Sequence, residues 1–277
     1  MPKKRTRRWV VAAAAAAMTV AAPVAAQAAP AGGHPRGLAS GSVTAVADAP
    51  APLKVVTNGM KIVWSPNPGL GLPGVGYCTL GPVGYDRFGN GIGITASHCV
   101  QVVNEPPTFE YPVYDANDLA FGPIGTYVWT SPIPAENDPS FPDTPHDYAV
   151  IRFDLTKVTL SSNGPALRID HNATRLPSRY SDIICKDGQT TGLKCGMVGN
   201  IVNGMLHSWA INGPGDSGGP VVLMEGNVGT AWAGIVHGVY DTDPLGGTFF
   251  YESAQNILAD LAARDGYGAG FTPVDTP

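Results

Sequence analysis

Gly215-Asp216-Ser217-Gly218-Gly219-Pro220 is followed at once by Val221-Val222-Leu223-Met224. The first stretch holds a serine among small, turn-forming residues, and the second is an apolar run that reads as a buried strand. Glycine tolerates positive φ and lets main chain approach a ligand closely. That suits a hydroxyl that stands clear of its own strand, and backbone N–H groups aimed at a developing oxyanion. The bland alternative is a structural glycine turn. A serine alone is a weak nucleophile; it needs a base, and the base needs a third group to orient it.

Two upstream stretches offer those partners. One is Ile94-Thr95-Ala96-Ser97-His98-Cys99-Val100, the other His146-Asp147-Tyr148-Ala149-Val150-Ile151. The chain order His98, Asp147, Ser217 differs from the orders found in subtilisins and α/β-hydrolases. With Thr-Ala-x-His-Cys and Gly-Asp-Ser-Gly-Gly-Pro both present, the sequence resembles the chymotrypsin/trypsin-like serine proteases from about Gly76 to the C-terminal helix. Length and loops look most like the secreted bacterial branch. The resemblance implies an all-β fold of two six-stranded antiparallel β-barrels with a C-terminal α-helix. The active site would lie in the cleft, with His98 and Asp147 from the first barrel and Ser217 from the second.

In that reading Ser217 attacks a carbonyl carbon, His98 relays the proton, and Asp147 orients the imidazole. The N–H groups of Gly215 and Ser217 form the oxyanion hole. Asp143 and Asp154 are neighbouring alternatives to Asp147, which is preferred because it directly precedes an apolar strand. In animal relatives the residue at Asp216 pairs with a newly cut N-terminal amine. No Ile-Val-Gly-Gly start occurs here, and bacterial members manage without that switch.

The expected substrate-binding residues are Ile211, His237, Gly238 and Val239. Ile211 lies six places before Ser217, the position of the pocket floor in the family. It carries no charge to pair with a Lys or Arg side chain, so an uncharged residue before the cut is expected. His237-Gly238-Val239 stands where the family has Ser-x-Gly, a departure at both ends. His237 is placed either to touch Asp147 or to face the primary pocket, and a buried wall residue is an equal reading. An imidazole facing the pocket would favour Glu before the cut.

The 277 residues suffice for one large or two small domains. Charged residues make up only 14%, with 35 Gly and 26 Pro, which favours a turn-rich β fold. A formal charge of −5 gives no reason to expect nucleic acid or an anionic membrane as partner. Residues 1–28 read as a signal peptide: Lys3, Lys4, Arg5, Arg7 and Arg8, then an Ala-rich apolar stretch, then Ala26-Gln27-Ala28, with cleavage after Ala28. A transmembrane anchor is the competing reading, and Thr6-Arg7-Arg8 also fits a twin-arginine element. Residues 29–55 are Ala-, Pro- and Gly-rich and read as a disordered pro-segment or linker. The protease domain is expected over 56–277, with the first barrel at about 56–160 and the second at about 161–277.

Four cysteines fit an exported protein and allow three pairings. The family closes the histidine loop with a disulfide, which Cys78 and Cys99 match. Cys185 and Cys195 suit a bridged hairpin. No metal site is expected, since Cys-x-x-Cys is absent; nor is a cofactor.

Strands are expected at Lys61–Trp64, Tyr77–Leu80, Gly91–Thr95, two short pieces within Leu119–Trp129, Tyr148–Phe153, Ile183–Cys185, Cys195–Val198, Met205–Ala210, Val221–Leu223 and Ala231–Val236. Ile257 and Leu261 at i, i+4 predict a helix over Ser253–Arg264, capped by Ser253. The function expected is a secreted serine endopeptidase, monomeric, acting on protein or peptide substrates, with no stable membrane insertion after signal cleavage. The alternative is a catalytically silent protease-like binding protein.

Overall fold

The computed structural model describes residues 52–64, 77–100, 111–132, 145–226, 228–239 and 249–275. The expected signal peptide, nearly all of the expected pro-segment, Asp143 and most of the Pro-rich loop before Asp147 lie outside them.

The first half of the chain contributes β1 (Lys54–Thr57), β2 (Lys61–Trp64), β3 (Cys78–Thr79), β4 (Val83–Tyr85), β5 (Gly91–Thr95), β6 (Tyr111–Asp115), β7 (Pro123–Thr130), β8 (Ala149–Phe153) and β9 (Val158–Ser161). The second contributes β10 (His171–Asn172), β11 (Ile183–Lys186), β12 (Lys194–Val202), β13 (Met205–Ser208), β14 (Pro220–Glu225), β15 (Val228–Val239), β16 (Phe249–Ser253), helix α1 (Ala254–Arg264) and β17 (Thr272–Pro273).

One sheet has the order β17-β4-β5-β8-β7-β6-β2-β3 and forms the first, open barrel. A second has the order β10-β15-β14-β11-β12-β13-β16, and β15 also pairs with β16; β1 and β9 form a small third sheet. The β15–β16 pairing closes a six-strand ring of β15, β14, β11, β12, β13 and β16, with β10 added outside it along β15.

Alternation along the strands sorts their side chains into three cores. In β8, Ala149, Ile151 and Phe153 fill the first barrel, while Val150 turns outward with the preceding Tyr148. In β14, Val221 and Leu223 fill the second barrel, and Val222 turns outward. The outward set meets between the barrels: Ile92, Ile94, Tyr148, Val150, Val222, Trp232 and Ile235 pack with Ile257 and Leu261 of α1. Burial on both faces explains why these strands read as continuous apolar runs.

Ser253 caps α1 as expected, its side chain accepting from Asn256 N–H. Ser253 itself ends β16. The helix closes on Asp265 in the left-handed region. Strand pairing begins at Lys54, where residues 54–57 add in parallel to β9. One expectation needs correction. Leu119–Phe121 is a 3-10 turn, and a single strand, β7, replaces the second of two short pieces. Gly122 at φ 87° divides them.

Candidate active site

β5 and β8 run antiparallel, and their register ends at the pair Thr95↔Ala149. His98 lies just beyond that end on one strand, and Asp147 just before it on the other. The pairing therefore delivers both side chains to one place. Ser97 N–H donates to Asp147 O at 3.2 Å, and Ser97 Oγ donates to Ser131 O at 2.7 Å. These bonds fix the 3-10 turn Ser97–Cys99.

His98 Nδ1 lies 2.6 Å from Asp147 Oδ2, and His98 N–H donates to Asp147 Oδ1 at 2.9 Å. Asp147 is buried, whereas 38% of the His98 side chain is exposed. Burial alone would lower the His98 pKa, but the Asp147 carboxylate beside it outweighs that and raises it. Burial likewise opposes the charged form of Asp147, yet His98 and His237 hold its pKa well below the usual carboxylate range. Asp154, one alternative, is a surface residue paired with Lys157 at 3.2 Å.

Ser217 reaches this corner on a loop tied to the first barrel. Thr79 N–H donates to Ser217 O at 2.9 Å, and Thr79 Oγ1 donates to Gly215 O at 2.8 Å. Gly218 N–H and Gly219 O bond to Val236 O and N–H of β15. Gly218 stands at φ 79°, where a Cβ would collide with Thr95 Oγ1. Gly215 stands at φ 93°, where a Cβ would lie 2.6 Å from the Tyr77 ring. Only glycine fits the turn on both sides of Ser217.

Asp216 anchors the loop from beneath. Its carboxylate is fully buried and meets Lys186 Nζ, also fully buried, at 2.7 Å. It also accepts from Thr190 N–H at 2.8 Å, Thr191 N–H at 3.0 Å, Thr191 Oγ1 at 2.7 Å and Gly213 N–H at 3.0 Å. Burial works against the charge, but Lys186 and Thr191 keep the Asp216 pKa below the ordinary value. The buried cation that meets Asp216 is thus a lysine on β11 of the same barrel. Sequence reasoning missed Lys186; its trace was a charged residue ending the apolar run Ile183-Ile184-Cys185.

The disulfides Cys78–Cys99 and Cys185–Cys195 are both present. The first sits directly behind His98, and Cys99 Sγ lies 3.9 Å from Ser217 O. The second joins residues paired across β11 and β12.

Among the expected substrate-binding residues, Ile211 is 52% exposed. Its neighbour Asn212 turns inward, and Asn212 Nδ2 donates to Gly238 O at 3.1 Å. The loop before Ser217 and the end of β15 are thus joined by Asn212. Val239 closes β15 opposite Phe249. His237 is the extra residue of a β-bulge, since the register steps from Val236↔Tyr251 to Gly238↔Phe250. Bulges re-aim side chains, and this one sets His237 Nδ1 2.8 Å from Asp147 Oδ2. The His237 and His98 rings meet edge to face, 6.5 Å between centroids.

His146, next to Asp147, is held at φ 85°. A non-glycine residue in that region costs about 1–3 kcal/mol and persists only when its surroundings fix it. Its fixture is Glu252 of β16, which accepts from His146 N–H at 2.8 Å and Asp147 N–H at 2.7 Å. Among the described residues no group of three or more His, Cys, Asp or Glu is placed to hold a metal ion. No helix among them is long and apolar enough to cross a membrane.

No protein-family model and no curated protein matches the sequence. Solved structures do match the architecture. Protease A of Thermobifida fusca superposes with a TM-score of 0.52 at 18% identity, over 80% of this chain and 100% of its own. The chain has the chymotrypsin-like fold. A chymotrypsin of Cellulomonas bogoriensis shares that fold at a TM-score of 0.51 and 21% identity, over 80% of this chain and 100% of that one. So does a glutamic acid specific serine protease described as using a histidine triad in substrate binding. Its TM-score is 0.52 at 20% identity, over 79% of this chain and 100% of its own. All three carry the chymotrypsin-like fold on sequences far diverged from this one.

Proposed function

We propose that the protein is a secreted serine endopeptidase that cleaves peptide bonds through Ser217, His98 and Asp147. The observation that carries this reading is the 2.6 Å contact of His98 Nδ1 with buried Asp147, beside the glycine turn of Ser217. The fold shared with serine proteases and the two disulfides support it. The domain reading is a signal peptide over 1–28, a pro-segment after it, and a protease domain that includes β1.

In this mechanism Ser217 Oγ attacks the carbonyl carbon of the substrate while His98 Nε2 takes its proton. Asp147 holds Nδ1–H and stabilises the imidazolium that forms. The carbonyl oxygen becomes an oxyanion facing Gly215 N–H and Ser217 N–H, each donor contributing about 3 kcal/mol to the transition state. His98 then gives the proton to the leaving amine, and the acyl group stays on Ser217 as an ester. Water, deprotonated by His98, hydrolyses that ester and restores the enzyme.

A fluorophosphonate probe tests this directly. The wild-type protein labels at Ser217 and hydrolyses peptide amides, and Ser217→Ala does neither while its melting temperature stays near wild type. Undiminished turnover in Ser217→Ala would sink the mechanism. A folded wild-type protein that neither labels nor turns over would be a protease-like binding protein.

A further inference from the structure

We infer that Glu252 of the second barrel is a positioning residue for Asp147, holding the aspartate's main chain against His98 through two N–H donations. The inference rests on the triad reading above. Both oxygens of its carboxyl are engaged: Oε1 accepts from His146 N–H at 2.8 Å and Oε2 from Asp147 N–H at 2.7 Å. Successive N–H groups of an extended chain point to opposite sides. Here two of them converge on one side chain because His146 is turned to φ 85°. The strained backbone and the two-pronged acceptor are one device.

Glu252 is held rigidly. It is fully buried on β16, between Met205 of β13 and Ile235 of β15. Two residues along β15 from Ile235, the bulge delivers His237 to the carboxylate of the same aspartate. The second barrel therefore grips Asp147 by its main chain through Glu252 and by its side chain through His237. The aspartate belongs to the first barrel, so its place relative to Ser217 is set by the barrel that carries Ser217.

The groups that face the Glu252 carboxyl are few. Within the 145–148 loop they are Asp147 and His146, whose Nδ1 lies 4.0 Å from Oε1. From α1 comes Asp260, and beyond Asp147 stand His98 and, on β15, His237. Burial pushes the carboxyl up to about 8; the two N–H donors pull it down, while Asp147 and Asp260 add to the rise. A protonated carboxyl offers one strong acceptor oxygen and a carboxylate offers two. The grip on both amides therefore tightens as Glu252 loses its proton in mildly alkaline solution.

Glu252→Gln is the test, since it keeps the shape and one carbonyl oxygen but turns an NH2 group towards the other amide. Two readouts are needed: kcat per fluorophosphonate-titrated site, and the titration midpoint of the His98 imidazole by 15N NMR. The expected result is a fall in kcat of about 10- to 100-fold with little change in KM, and a lower His98 midpoint as Asp147 slackens. A Glu252→Gln protein with wild-type kcat per titrated site and an unmoved His98 midpoint would overturn the inference, because a structural role alters only the folded fraction. The imidazole midpoint is read without turnover, so it decides the point even if the wild-type protein proves inactive, a result that would fell the protease reading alone. If the variant does not fold, the wild-type amide 15N shifts of His146 and Asp147 decide. They step together with the His98 ring on the alkaline side if Glu252 grips both, and the absence of a common step refutes it.

Discussion

His237 Nδ1 and His98 Nδ1 converge on a single oxygen, Asp147 Oδ2, at 2.8 and 2.6 Å. Two imidazoles on one buried carboxylate share its charge, and the bulge in β15 keeps the second there. His237→Ala is expected to lower kcat about tenfold and to leave KM nearly unchanged, because Asp147 loses a lateral support without losing His98. Active-site-titrated kinetics on a small peptide amide checks this; a changed KM at constant kcat would make His237 a pocket residue instead.

Lys186 and Asp216 form a fully buried ion pair under the Ser217 loop. Lys186→Met leaves the carboxylate uncompensated, and the expected cost is about 3–5 kcal/mol of stability. The labelling rate with fluorophosphonate should fall as well, since the oxyanion loop loses its anchor. Adding Asp216→Asn to Lys186→Met should recover part of the melting temperature, and a melt of the three proteins side by side measures it.

The pH dependence follows from the signs of two shifts. The His98 pKa is raised in the folded protein, so its stabilising share is complete below about pH 6.5 and is lost as pH rises through the folded value. The Asp147 pKa is lowered, so its share is present above about pH 4 and is lost as pH falls through the folded value. Hydrolysis needs neutral His98 and should rise through the raised midpoint. Asp147→Asn should shift that rise to lower pH and reduce kcat by about 10⁴-fold. Paired melts and pH–rate profiles of the two proteins test both signs.

Cys78–Cys99 closes the loop of 21 residues that ends beside His98. Replacing both cysteines by alanine is expected to cost about 2–4 kcal/mol and to slow labelling of Ser217, because His98 stands next to the lost bridge. Non-reducing peptide mapping of the wild type should return this pair and Cys185–Cys195, and no crossed pair.

Substrate choice should exclude Lys and Arg before the cut. Ile211 and Asn212 offer no charge, and the nearby carboxylate of Asp216 is already taken by Lys186. A panel of peptide amides differing only at that residue measures the preference; efficient cleavage after Arg would place the pocket elsewhere.

His98 and Ser217 were legible because each sits in a contiguous motif whose glycines or cysteine state its geometry. Asp147 was legible only as one of three, and its 2.6 Å contact with His98 needed the β5–β8 register to appear. Lys186 and Glu252 were not legible. Their partners stand 30 and 105 residues away, and in a strand of otherwise apolar residues a lone charge does not say which loop it will meet. The short strand β10 escaped for a related reason: it exists only by parallel pairing with a distant strand, which leaves no local pattern.

β17 lies along β4, with Thr272 opposite Tyr85 and Pro273 opposite Gly84. The edge of the barrel that carries His98 is thus finished by residues made 187 positions later. A ribosome emits the whole second barrel before the first can be completed. Proteolytic competence should therefore arise late in the life of each molecule, after synthesis has passed residue 273, and a nascent chain halted earlier should be harmless to the cell that makes it.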